Sequence, residues 1–119
     1  MHPFIKSFTY AYKGIKLSLS QRNMKVHIAC ASLVILIGFV FHINNVEWCI
    51  VSLCIGLVIA FEMINTAIEY IVDMISPDFN EKAGKIKDIA AGSVLVISII
   101  AFICGILVFG KYIVALLFA

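Results

Sequence analysis

The stretch "FEMINTAIEYIVD", residues 61–73, sets Glu62, Asn65, Thr66, Glu69 and Asp73 at three- and four-residue spacings inside an otherwise apolar run. On an α-helix these side chains fall within roughly a 100° arc and form one polar stripe about 16 Å long. A charge in a membrane-spanning helix costs about 2.5–3.5 kcal/mol at the bilayer centre and less toward the interface. Acids on one face also repel each other, and serine or small residues would serve a purely structural stripe at lower cost. A stripe of acids suits a cation or a proton-transfer site. Glu62 lies deepest, where desolvation tunes a carboxylate toward general-base work. Glu69, nearer water, is suited to hold a divalent cation through oxygen. The structural alternative is pairing with lysines and asparagines of neighbouring helices, and it is strongest for Asp73.

The elements that must position this stripe follow from composition. Of 119 residues, 63% are hydrophobic and 13% charged, and the mean hydropathy is +1.10. A soluble domain this small leaves too much surface exposed to hide that much apolar side chain. The expectation is an all-α integral membrane protein forming one membrane-embedded domain over residues 1–119. Transmembrane helices are expected over 26–43, 46–75 and 86–109, the last with an uncharged run from Ile89 to Phe109. Each is long enough to cross a hydrocarbon core of about 30 Å. "SPDFN" stops the second with proline and turn formers.

Residues 1–25 read differently. Phe4, Phe8, Ala11, Tyr12, Ile15 and Leu19 fall on one side of a helical wheel, and Lys6, Lys13, Lys16 and Ser20 on the other. That is an amphipathic helix lying in the membrane interface, or packed against neighbouring subunits. Arg22 sits on the apolar side, so a turn into the first span is expected near it. No short apolar segment with a cleavage site precedes that span, so a signal peptide is not expected. Cys30, Cys49, Cys54 and Cys104 are scattered through apolar stretches without metal-type spacing and read as small hydrophobes.

Charge asymmetry sets the expected orientation. Lys6, Lys13, Lys16, Arg22 and Lys25 precede the first span, and Lys82, Lys85 and Lys87 separate the second from the third. Between the first two spans the only charge is Glu47, with Trp48 beside it as an outer interface anchor. The N-terminus and the 76–88 loop are therefore expected on the cytoplasmic side, with the C-terminus outside. Lys85, Lys87 and the N-terminus of the third helix could face an anion. Beside a buried carboxylate stripe, they suggest a polyphosphate with its metal. Neither a GxxxxGK[ST] loop nor a protein-kinase signature is present.

The run "ExxNTAIExxVD", 62–73, followed by "AGKIKD", 83–88, resembles the signature of the prokaryotic diacylglycerol kinase family. With "YAYKGI" in the surface helix and three spans in this order, the resemblance covers nearly the whole chain. It implies a homotrimeric helical bundle in the bacterial cytoplasmic membrane, with active sites between helices of adjacent subunits at the cytoplasmic face. It implies transfer of the γ-phosphate of Mg-ATP, and so Mg2+ and ATP, to a lipid hydroxyl, with no nucleic-acid partner. Carried over residue by residue, Glu62 matches the general base, Asn65 an active-site amide and Glu69 a metal-binding carboxylate. Lys87 and Asp88 match nucleotide-contacting positions, as does Tyr10 in the surface helix. Asp78 and Asn80 fall in the loop that closes over the nucleotide. The segment "QRNMKVHI", 21–28, resembles a stretch that usually opens with a second metal-binding glutamate, where this chain has Gln21. An amide accepts through oxygen but brings no charge, so metal affinity is expected to fall unless Asp73 or a phosphate oxygen compensates.

The family divides by substrate into a diacylglycerol branch and a Gram-positive branch that phosphorylates undecaprenol. "RNMKVHI", with His27, and "INTAIEYIVDMISPDFN" look more like the second. His27 is a lipid-head contact or a plain interfacial histidine. Two non-enzyme readings remain. In one the chain is a small oligomeric ion or proton transporter subunit, for which acids clustered at one end are the wrong placement. In the other it is a structural membrane subunit whose acids only fix helix pairing.

Overall fold

A computed structural model describes residues 2–119. Four helices follow in order: α1 (Pro3–Leu19), α2 (Arg22–Val40), α3 (Asn45–Ile75) and α4 (Glu81–Leu117). The protein is all-α, and α2, α3 and α4 are each long and apolar enough to cross a membrane.

Each helix boundary has a local cause. In α1, Pro3 opens the first turn, where its missing N–H costs nothing, and His2 Nδ1 accepts the Phe4 N–H at 3.2 Å. The helix stops at Ser20–Gln21, whose N–H groups reach back to Leu17 O at 3.2 Å and Ser18 O at 3.1 Å. Gln21 is extended and caps α2, so the turn falls immediately before Arg22. α2 ends in a left-handed residue, His42 (φ 52°), with Ile43 N–H donating to Gly38 O at 3.2 Å and His42 N–H to Phe39 O at 3.3 Å. This is a Schellman stop without the usual glycine. Two residues later Asn44 and Glu47 form a reciprocal capping box that starts α3, with bonds of 2.9 and 3.0 Å.

The last helix is longer at both ends than the 86–109 span expected from hydropathy. Asn80 accepts the Ala83 N–H at 3.1 Å, and Glu81 sits in the first turn, where the helix dipole favours an acid. After Phe109 neither proline nor a polar break interrupts "KYIVALL", so the helix runs on to Leu117. The cytoplasmic-type loop is thereby reduced to 76–80.

α3 is the organising element: it packs along α4 for much of its length and also contacts α2 and α1. Just past the end of α2, Phe41 reaches α4, stacking on Tyr112 at 5.6 Å between ring centroids and tilting against Phe109 at 6.4 Å. Ile43, Val51, Val108 and Phe109 form the buried core there. Glu47 ties the same end together, accepting from the Tyr112 hydroxyl at 2.5 Å and pairing with Lys111 at 3.1 Å. Between α2 and α4, and backed by α3, lies an open apolar cleft of about 750 Å³ that runs from His27 to the level of Phe109 and Val114.

Candidate functional site

The stripe on α3 is graded from buried to exposed along the helix. Glu62 is 3% exposed, Asn65 4% and Thr66 5%, whereas Glu69 is half-buried and Asp73 exposed. Thr66 uses its hydroxyl within the helix, donating to Glu62 O at 3.1 Å. Asn65 Nδ2 donates to Glu69 Oε1 at 3.3 Å, while Asn65 Oδ1 is buried without a partner. An unpaired buried carbonyl oxygen costs free energy unless something meets it. Here it sits beside a carboxylate, so one face of α3 presents two hard oxygen donors of the kind that suits a small divalent cation. Among the described residues no three His, Cys, Asp or Glu side chains cluster as a metal site, so further ligands would have to come from elsewhere.

Glu62 has a neighbour on α2. His27 Nε2 lies 3.4 Å from Glu62 Oε2, with the two side chains 20% and 4% exposed. His27 also lines the open cleft, together with Val34 of α2, Val58 of α3 and Ser98 and Phe109 of α4. The buried Ser98 hydroxyl has no partner. The cleft is thus an apolar groove with a histidine in its wall, and the buried carboxylate stands behind that histidine.

The other expected site residues are placed around this centre without all converging on it. Gln21, at the α1–α2 break, donates from Nε2 to the Tyr70 hydroxyl at 3.1 Å, which brings it to the α3 face one residue beyond Glu69. Lys87 of α4 forms an ion pair with Asp73 of α3, the pairing that the sequence offers as the alternative role for Asp73. Asn80 is the cap of α4, and Asp78 lies exposed in the loop, its carbonyl accepting from Ser76 Oγ at 3.2 Å. A smaller hollow of about 210 Å³ lies there, lined by Ser76, Asn80 and Lys82 among others. Asp88 is exposed on α4. Tyr10 is 66% exposed on α1, with the Lys13 ammonium 5.8 Å from its ring centre. Within one chain, neither Tyr10 nor Asp88 hydrogen-bonds to the stripe.

Residues 9–109 match the family described as prokaryotic diacylglycerol kinase. The chain belongs to that family. It is 39% identical over 110 residues to the undecaprenol kinase of Bacillus subtilis (strain 168), covering 92% of this chain and 89% of that one. It is 35% identical over 101 residues to a diacylglycerol kinase of Synechocystis, covering 83% of this chain but 58% of that protein. To the diacylglycerol kinase of Escherichia coli (strain K12) it is 26% identical over 100 residues, with 83% and 82% covered. The protein is therefore a membrane lipid kinase, and the transporter and purely structural readings are set aside.

Two contacts were not foreseen in the sequence. His27, a lipid-head contact or an interfacial histidine on its sequence, stands against Glu62 and also lines the cleft. The short α2–α3 turn makes these helices antiparallel neighbours, which brings the start of α2 beside the later part of α3. Tyr70, the partner of Gln21, lies one residue outside the polar pattern, and periodicity alone does not select it.

Proposed function

We propose that this lipid kinase transfers the γ-phosphate of Mg-ATP to the primary hydroxyl of undecaprenol, with Glu62 as the general base. The observation that carries the mechanism is the almost complete burial of Glu62 beside an apolar cleft, at the dry end of a stripe that reaches water at Asp73. One substrate comes from the bilayer and the other from water, and the stripe connects the two phases. The positive charges around α1 and α4 support a cytoplasmic placement for its wet end.

In the proposed reaction the lipid hydroxyl gives its proton to a Glu62 carboxylate oxygen as its own oxygen forms a bond to the γ-phosphorus. The bond from that phosphorus to the ADP oxygen breaks in the same transfer. Phosphoryl transfer depends chiefly on positioning and charge stabilisation, so a few well-placed side chains suffice. Glu69 and the unpaired Asn65 Oδ1 are the oxygens that would hold Mg2+, which supplies charge neutralisation on the phosphates when bound. Gln21 reaches this face through Tyr70 and would contribute at most a neutral oxygen. Lys87 pairs with Asp73 at the wet end, where the nucleotide is expected, and Asn80, Asp78, Asp88 and Tyr10 are the further residues proposed to meet it. Several of these side chains are exposed in the single chain, which supports a homotrimer whose neighbouring subunits complete each site.

The lipid is chosen on similarity: the identity to the Bacillus protein named for undecaprenol exceeds that to the proteins named for diacylglycerol. Diacylglycerol is the second reading, favoured by the matches that carry that name, and it too presents a primary alcohol on a large apolar body. The test is to offer both lipids in equal amounts in mixed micelles with Mg-ATP. Faster formation of undecaprenyl phosphate is expected. Preferred formation of phosphatidic acid would overturn the choice of lipid and leave the mechanism standing.

A further inference from the structure

We propose that His27 is the proton exit of this site: it takes from Glu62 the proton removed from the lipid hydroxyl and passes it to water. The proposal rests on Glu62 being the general base. A base that is only 4% exposed becomes protonated in every turnover and has no direct route to solvent. Its near neighbours on α3 offer none, because Thr66 donates to a backbone carbonyl and the Asn65 amide is committed to Glu69. Among the described residues, the one ionisable side chain paired with Glu62 is His27, with Nε2 3.4 Å from Oε2.

His27 is suited to the task by position and by chemistry. It is less buried than the carboxylate and stands near the start of α2, shortly after the Ser20–Gln21 break and within about two turns of the exposed Arg22 and Lys25, the charged end of that helix. Imidazole can accept a proton on one nitrogen and release one from the other, returning to a neutral tautomer. The steps balance. The lipid O–H bond breaks and its proton joins Glu62. Glu62 gives that proton to Nε2 and is again a carboxylate, and the proton on Nδ1 leaves to water. Exchange of the remaining ring proton from Nε2 to Nδ1 through water frees Nε2 for the next turnover. The charged groups on the surrounding elements are otherwise occupied or turned to solvent. Asp73 is held by Lys87 of α4, Glu69 by the Asn65 amide, and Lys13 and Lys16 of α1 and Arg22 and Lys25 of α2 are exposed.

The experiment compares the full chain with His27→Ala, His27→Gln and Glu62→Gln in mixed micelles with Mg-ATP and undecaprenol, across pH and with or without added imidazole. Both His27 variants are expected to lose about a hundredfold in kcat, the low end of the range for acid–base groups, while KM for ATP and lipid stay nearly unchanged. Added imidazole should restore His27→Ala and leave Glu62→Gln inactive. Full kcat in His27→Gln would overturn the proposal, since glutamine can hold the carboxylate but cannot carry a proton. A loss in both variants that imidazole leaves untouched, with an unaltered pH profile, would also overturn it. An active Glu62→Gln would instead remove the base assignment itself, so the two failures are distinguishable.

Discussion

Glu62 occupies a position where leucine would insert into a bilayer without the cost of a carboxylate, and the surrounding residues do little to offset that cost. Among the described residues its one ionic neighbour is a histidine at 3.4 Å. Gln21 is the residue whose chemistry departs most from what the site would use. Its amide already lies 3.1 Å from the Tyr70 hydroxyl, and tyrosine can donate to a carboxylate as readily as it accepts from an amide. Gln21→Glu therefore fits the same place while adding a negative charge, and it is expected to lower the Mg2+ concentration needed for half-maximal activity by severalfold. Titrating Mg2+ against turnover checks this, and an unchanged midpoint would place Gln21 outside the metal's reach. At this scale the sequence was partly legible. The burial gradient from Glu62 to Asp73 follows from helical spacing and hydropathy alone. The Gln21–Tyr70 and His27–Glu62 contacts do not, because they depend on how α2 and α3 settle against each other.

Among the elements, the α2–α3 connection is the most tightly specified. Gly38 is buried on α2 where a Cβ would come 2.7 Å from Trp48 Cη2, 3.0 Å from Trp48 Cζ2 and 3.2 Å from Ile43 Cδ1. Trp48 fills that space and lies 4.9 Å from the Phe39 ring, centre to centre. Gly38→Val is expected to destabilise the protein by about 1–3 kcal/mol, the usual cost of overpacking a closed contact. The measurement is the thermal midpoint of the detergent-solubilised protein, and an unchanged midpoint would show that the indole moves aside freely. Trp48 was legible as an interface residue, but its packing on Gly38 was not, since hydropathy does not report which glycine a ring will cover. α4 is longer than its apolar span for a related reason. Hydropathy marks where charge stops, whereas the helix starts at the Asn80 cap and persists until nothing supports it near Leu117.

At the scale of the molecule, the chain is open. Few side chains of α2, α3 and α4 are buried within one chain, and an apolar cleft lies open between α2 and α4. Large apolar faces are therefore left for lipid or for further copies of the chain. The proposed homotrimer predicts a protein mass in mild detergent of three times the 13.1 kDa of one chain, measured by light scattering with the detergent contribution removed. Full activity at the mass of a single chain would contradict it. The sequence showed three spans, a surface helix and an acid stripe at one end. The subunit contacts were not legible in it, because an apolar face reads alike whether it meets lipid or protein.

The central claim is that a carboxylate buried at the end of this stripe removes the lipid's proton. The measurement that tests it most directly is turnover of Glu62→Gln beside the parent protein, with assembly and ATP binding followed in the same preparations. The expected result is unchanged assembly and ATP binding, with the rate of lipid phosphorylation lower by about a hundredfold or more, as removal of a general base requires. Turnover of Glu62→Gln close to that of the parent would contradict the account, and so would loss of activity that only accompanied loss of assembly.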